Sequence, residues 1–280
     1  MKEQLSAPAK INLFLQITGK RPDGYHNLVT LMCAVSLHDT ISMTFGAEKT
    51  TVSCSDPDIP EDETNLAHRA ASLFFKSLNI YEGVKIFIDK KIPAGAGLGG
   101  GSSDAAAVLS GLNCHYDSPF SREELMVMGL SLGADVPFFI FQKPAIATGI
   151  GEKLEICKKL KPFKVLLIFP GFSVSTAYVY KNFNLRLTRC KKKIINICFK
   201  DSIFDVGLMC NDLETVVTLK YPEIQAIKTL LLNHGAEGAL MSGSGSAVFG
   251  LFSDSDRARS ARETLSQYDK WKVYLADMII

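Results

Sequence analysis

Little in this sequence points to export, a metal cluster or a membrane. Its seven cysteines, at 33, 54, 114, 157, 190, 198 and 210, are odd in number and scattered, and none forms a C-x-x-C pair. Such spacing argues against a disulfide framework or a structural zinc site. It predicts small apolar fillers in a reducing compartment. No run reaches the roughly 18 apolar residues that span a bilayer. The opening residues, MKEQLSAPAKINLFLQITG, lack the continuous apolar stretch of a signal peptide. A cytoplasmic protein without membrane contacts is expected. Neither sign of charge dominates: 31 Lys and Arg against 29 Asp and Glu leave a formal net charge of +2. A global nucleic-acid footprint is therefore missing.

What is present describes a folded chain. At 280 residues, 47% hydrophobic and 21% charged, it has material for one large domain or two modest ones. Strand-like patterning runs over 10–18, 28–35, 40–45, 51–54, 84–89, the short apolar run 165–169, 247–252 and 272–276. Helical patterning covers residues after a cap at Thr64 or Asn65, then 102–112, a capping box from Ser121 to Glu124 continuing to about 132, and 205–219, 222–234 and 254–268. Strands and helices mix without a βαβαβ rhythm, which predicts an α+β fold. A soft boundary falls near 150 to 163. The stretch 181–200, with Lys191-Lys192-Lys193, reads as a solvated basic loop; the alternative is electrostatic steering of anionic ligands.

Residues 93–107, PAGAGLGGGSSDAAA, carry the most information. Five glycines in the seven positions 95–101 cannot make a stable helix, since each costs roughly 1 kcal/mol against Ala. A glycine loop that feeds a helix N-terminus gathers free N–H groups at the positive end of a dipole, and phosphate is its natural occupant. The stretch formally contains G-x-G-x-x-G at Gly95, Gly97 and Gly100. A dinucleotide fold would need an acidic residue closing a following strand, whereas Asp117 follows a helix and Asn113-Cys114-His115. A Walker A loop is excluded because no Lys follows the glycines. A plain flexible turn explains so dense a run less well.

The segment resembles the phosphate loop of the GHMP kinases. Three further stretches narrow the likeness within that superfamily to the branch acting on CDP-methylerythritol: Ala9-Lys10-Ile11-Asn12-Leu13, then GKRPDGYH over 19–26, then 132–139, LGADVPFF. Asn65-Leu66, Pro170-Gly171 with Thr176, Asn211-Asp212 and Ser242-Gly243-Ser244-Gly245 extend it over nearly the whole chain. The resemblance implies an S5-like N-terminal half (1–155) and a ferredoxin-like C-terminal half (156–280), the active site in the cleft and the last strand returning toward the N-terminal half. It also implies ATP and Mg²⁺ as cofactors, a small-molecule substrate rather than nucleic acid, and a place in non-mevalonate isoprenoid synthesis. Rival readings are another small-alcohol kinase, of homoserine or mevalonate type, and a non-catalytic RNA-binding module.

Site residues follow from the same resemblance. Lys10 and Asp135 are the expected catalytic pair, although a lone lysine is ordinarily a snorkelling surface residue and Asp135 could serve only as an N-cap. Pro93, Ala94, Gly95, Ala96, Gly97, Leu98, Gly99, Gly100, Gly101, Ser102, Ser103 and Asp104 are expected around the ATP phosphates. Ser103 is expected near the metal, while Asn65 and Lys90 are assigned to the adenine pocket. For the substrate, His26 would read the cytosine edge, Tyr25 line its pocket and Tyr180 stack on it. Asn12 and Thr176 would bond the methylerythritol or diphosphate part.

Overall fold

The computed structural model describes residues 2–185, 190 and 204–280. The basic cluster Lys191–Lys193 and most of the stretch read as a solvated loop lie outside the described residues. In chain order the strands are β1 (Lys2–Lys20), β2 (His26–Ala47), β3 (Thr51–Cys54), β4 (Gly83–Asp89), β5 (Ala145–Gly149), β6 (Lys153–Ile156), β7 (Lys164–Phe169), β8 (Cys210–Asn211), β9 (Gly238–Met241), β10 (Val248–Phe252) and β11 (Lys272–Ile279). The helices are α1 (Leu66–Leu78), α2 (Gly100–His115), α3 (Arg122–Leu132), α4 (Val136–Phe141), α5 (Thr176–Asn182), α6 (Glu214–Lys220), α7 (Glu223–Asn233) and α8 (Ser255–Leu265). Mixed strand pairing with segregated helices makes the architecture α+β.

The chain forms two compact units, each assembled from separate stretches. One comprises Met1–Ala9, His38–Ala94 and Gly99–Gln142; the other comprises Lys10–Leu37, Gly95–Leu98 and Lys143–Ile280. The reason lies in β1 and β2, whose lengths of 19 and 22 residues let each strand contribute to both units.

In the first unit, the second half of β2 pairs antiparallel with β4, Thr40 opposite Asp89, and β4 pairs parallel with β3. Ile41 and Met43 of β2 and Ile86 and Ile88 of β4 are buried, as is Phe74 of α1. Helix α1 packs on α2, and α3 on α4. Asn65, not Thr64, caps α1, its Oδ1 accepting the Ala67 N–H at 2.9 Å. The capping box forms as the sequence predicts: Ser121 accepts from Glu124 N–H while the Glu124 carboxylate accepts from Ser121 N–H.

In the second unit, β7 lies between β11 and β10, and β10 also pairs with β9. The first half of β2 pairs with β5 and, at Val35, with β11; the short β8 runs parallel to β1. One apolar core draws on Leu15, Ile17, Leu166, Ile168, Ile227, Leu231, Val248 and Leu265.

Three expectations are corrected. Residues 28–35 and 40–45 are not two strands but one, β2. The stretch 205–219 is not one helix: a 3₁₀ turn at Val206–Leu208 precedes β8, and α6 begins only at Glu214. Cys190 and Cys210 are not separate fillers but a disulfide. The Asp212 carboxylate seats that bond beside β1, accepting from the N–H groups of Ile17 at 2.9 Å and Cys190 at 3.2 Å. Cys33, Cys54, Cys114 and Cys157 remain free, and burial pushes the Cys33 thiol up to about 12.

Candidate active site

The glycine loop is held by its carbonyls. Those of Gly95, Ala96, Gly97 and Leu98 accept from the Val174 N–H (3.3 Å), the Ala247 N–H (3.0 Å), the Ser242 hydroxyl (3.0 Å) and the Lys10 N–H (2.9 Å). Among the described residues, none accepts a hydrogen bond from the main-chain N–H groups of these four. Acceptors are used and donors are not, the state of a main-chain anion cup. Glycine is required at Gly97: its φ is +75°, and a Cβ there would stand 2.1 Å from the Ser242 carbonyl oxygen. Asn211 fixes the opposing 242–245 turn by donating to the carbonyls of Met241 and Gly243 while accepting the Leu213 N–H.

Lys10 is not a surface lysine. It is 4% exposed, and its ammonium donates to Asn12 Oδ1 at 2.6 Å. Asn12 passes the chain on, its Nδ2 donating to Thr30 Oγ1 at 2.8 Å, and that hydroxyl donates to the Phe14 carbonyl. A Cβ on Gly243 would come within 3.1 Å of Lys10 Nζ and 3.3 Å of Asn12 Oδ1. The structure thus gathers Lys10, Asn12, the 242–245 turn and residues 95–98 in one place. Within the 242–245 turn, the Ser244 hydroxyl shares a hydrogen bond of 2.8 Å with that of Thr176.

The residues assigned to cytosine meet in part. His26 is buried at the start of β2, with the Tyr180 ring tilted against it at 5.5 Å and the Phe183 ring edge-on at 6.2 Å. Tyr25 is exposed. Burial, with a smaller push from Lys20, holds the His26 pKa below its ordinary 6.5. Phe183 escaped the sequence reading because it stands just beyond a seven-residue helix, too short for a periodic signal.

In the first unit, α2 begins behind Gly99, an αL residue with no side chain to cap the helix. Ser103 and Asp104 in its first turns are buried, and among the described residues Ser103 Oγ and Asp104 Oδ1 have no hydrogen-bond partner. Asp104 Oδ2 accepts from Lys90 Nζ at 2.7 Å, and Asp39 Oδ2 accepts from the same ammonium at 2.5 Å. Burial pushes the Asp104 carboxyl up to about 7 against the pull of Lys90, with Asp39 adding to the rise. Lys90 suffers the same burial, yet Asp104 and Asp39 outweigh it and keep its pKa above the ordinary value. Asp39 was not among the sequence candidates. A signal existed: it is the lone charged residue in the buried alternation Asp39, Ile41, Met43.

The assigned adenine residue Asn65 is engaged as a cap, its Nδ2 also donating to the Pro60 carbonyl. Asp135 holds the N-cap position of α4 but makes no capping hydrogen bond, so that structural role does not account for it. Among the described residues, Cys190, Cys210 and Asp212 alone group with metal-ligand spacing, and the disulfide consumes both thiols.

Comparison with known proteins places this arrangement in a class. Residues 65–143 match the model of the GHMP kinases N terminal domain, and 202–270 that of the GHMP kinases C terminal domain. Within that class, the chain is 48% identical over 279 residues to a 4-diphosphocytidyl-2-C-methyl-D-erythritol kinase of Syntrophotalea carbinolica, covering 99% of each chain. It is 46% identical to the protein of the same name from Geobacter sp. (strain M21), covering 96% of each. A crystal structure of 4-(cytidine 5'-diphospho)-2C-methyl-D-erythritol kinase superposes with a TM-score of 0.80 at 34% identity, over 99% of this chain and 100% of that one. The chain belongs to the 4-diphosphocytidyl-2-C-methyl-D-erythritol kinase family of GHMP kinases. No helix among the described residues is long and apolar enough to cross a membrane.

Proposed function

We propose that this chain transfers the γ-phosphoryl group of ATP to the 2-hydroxyl of 4-diphosphocytidyl-2-C-methyl-D-erythritol. The observation that carries the reading is the loop of Gly95–Leu98, whose four carbonyls are tied down while its amides stay available for phosphate. The relatives' shared name supplies the substrate. In the step itself, the hydroxyl oxygen bonds to the γ-phosphorus as the bond to the β,γ-bridging oxygen breaks, and ADP leaves. No covalent protein intermediate is needed, so the protein's share is positioning, charge neutralisation and handling one proton.

Residue roles divide accordingly. Main-chain amides of 95–101 hold the phosphates, flanked by Pro93, Ala94 and Ser102, with Asn65 toward the adenine. Lys10 neutralises charge on the transferring group, a role its buried ammonium and its bond to Asn12 support. Asp135 takes the hydroxyl proton. His26, Tyr25 and Tyr180 take the cytosine, with base stacking worth about 1–3 kcal/mol. Asn12 and Thr176 serve the remainder of the substrate. Ser103 Oγ and Asp104 Oδ1 are hard oxygen donors, buried and without a partner among the described residues, and so fit Mg²⁺. When bound, that ion would supply charge neutralisation on the phosphate oxygens.

A coupled assay of ADP release tests substrate choice. Turnover is expected with CDP-methylerythritol and not with mevalonate or homoserine; the reverse preference would move the chain to another branch.

His26 gives a pH prediction. Its pKa is depressed, so the neutral imidazole and the stability it contributes are fully present above 6.5 and lost as pH falls through the folded value. KM for the cytidine substrate should stay flat from pH 8 down to 6.5 and rise only below, and His26→Gln should remove that rise. A midpoint above 6.5 in the wild-type KM profile would contradict it.

A further inference from the structure

The ammonium of Lys90 lies beneath the first turn of α2, and Gly100 makes room for it: a Cβ there would come within 3.0 Å of Lys90 Nζ and 3.1 Å of Ile92 Cγ2. A cation at this end of a helix opposes the dipole and would not rest there unaided. Two carboxylates hold it. Asp104 reaches it from α2 itself, and Asp39 reaches it from β2. Asp39 is completely buried and does more than balance charge. Its Oδ1 accepts the N–H groups of Lys91 at 2.6 Å and Ile92 at 2.8 Å, the residues that lead from β4 into the glycine loop. The Lys90 N–H is itself fixed to Ser55 Oγ at 2.8 Å. Asp39 therefore grips the chain just before the loop through main-chain bonds, and the helix just after it through Lys90 and Asp104. The same contacts spend Asp104 Oδ2 and leave Asp104 Oδ1, with Ser103 Oγ, as buried side-chain oxygens that have no partner among the described residues.

We infer that Asp39 is a positioning residue for triphosphate binding, acting through Lys90 and Asp104 on the two ends of the glycine loop. Lys90 is then the relay in this clamp and not a reader of the adenine ring, since its ammonium is committed to two carboxylates inside the protein. The proposal rests on the reading of the loop as a phosphate site. It deepens that reading by separating the residues that touch the nucleotide from those that shape the loop for it.

Calorimetric binding of ATP and of inorganic tripolyphosphate, both with magnesium, tests it in the full chain. Three variants are compared with wild type: Asp39→Asn, which keeps the side-chain shape and the Oδ1 acceptor, Lys90→Met, and the double variant. A clamp predicts that each single variant weakens both ligands by tenfold or more, because the loss concerns the phosphates and not the base. It also predicts that the double variant binds no worse than Lys90→Met alone, as residues acting in series do. Weakened ATP with unchanged tripolyphosphate would make Lys90 an adenine ligand and overturn the proposal. So would wild-type affinities in variants whose melting temperature alone has fallen. Should Lys90→Met not fold, Asp39→Asn decides by the same comparison. A wild-type protein that binds neither ligand would instead sink the phosphate-loop reading itself.

Discussion

Asp135→Asn and Lys10→Met are each expected to lower kcat by a factor of about 10² to 10⁴, the range supplied by a positioned proton-transfer group for the first and approached by a charge-stabilising donor for the second, with folding retained. The two should differ in character. Asp135→Asn preserves shape while removing the negative charge and the capacity to take a proton, so the loss should fall on kcat more than on substrate and ATP affinities. No cap is lost with it, because the Asp135 side chain makes no capping hydrogen bond. Lys10→Met removes the donor to Asn12, and with it the anchor of the hydrogen-bond chain through Thr30. Some rise in KM for the alcohol should therefore accompany its fall in kcat. Burst-free steady-state kinetics with saturating ATP checks both, and wild-type turnover in either variant would remove that residue from the chemistry.

The second large effect is expected at Gly97. Adding one methyl group there sets a Cβ 2.1 Å from the Ser242 carbonyl oxygen and 2.9 Å from the Gly245 nitrogen, on a backbone with φ +75°. Both neighbours are main chain and cannot swing aside, and the left-handed conformation costs a non-glycine residue roughly 1–2 kcal/mol more. Gly97→Ala should weaken ATP more than tenfold and lower the melting temperature. Gly101→Ala is the comparison: its Cβ would meet nothing closer than Leu66 Cδ1 at 3.6 Å, an ordinary contact inside a helix. Its melting temperature should fall far less. Equal losses in the two variants would mean that glycine density, and not the packing of Gly97 on the 242–245 turn, sets the behaviour of the loop.

Much of this site was legible before any coordinates, for different reasons at different residues. Five glycines in seven positions announce a bent, ligand-facing backbone on conformational grounds alone. The capping box at Ser121 is likewise local, and it forms where the sequence places it. Asp135 is legible as a carboxylate set in the apolar run of 133–139, where it is expensive unless paired or used; Lys10 stands out only through resemblance, because nothing in the local sequence tells a buried lysine from a snorkelling one. Pairing in space is where sequence patterns fail. Strand β2 reads as two pieces because Ser36 to Asp39 interrupts its apolar pattern. The strand continues because Asp39 finds main-chain partners in Lys91 and Ile92, some 50 residues away. The parallel bridge of β8 to β1 breaks what looks like a single helix over 205–219, and no periodicity within that segment can foresee a partner at Phe14 and Leu15. Scattered cysteine spacing hid the Cys190–Cys210 bond for the same reason.

A ³¹P spectrum of the protein mixed with ATP, magnesium and CDP-methylerythritol addresses the assigned reaction most directly. The account predicts loss of the γ-phosphate signal, appearance of ADP, and one new phosphomonoester resonance, with the cytidine diphosphate linkage intact. Release of inorganic phosphate without the ester, or an unchanged ATP spectrum beside an intact substrate, would contradict it.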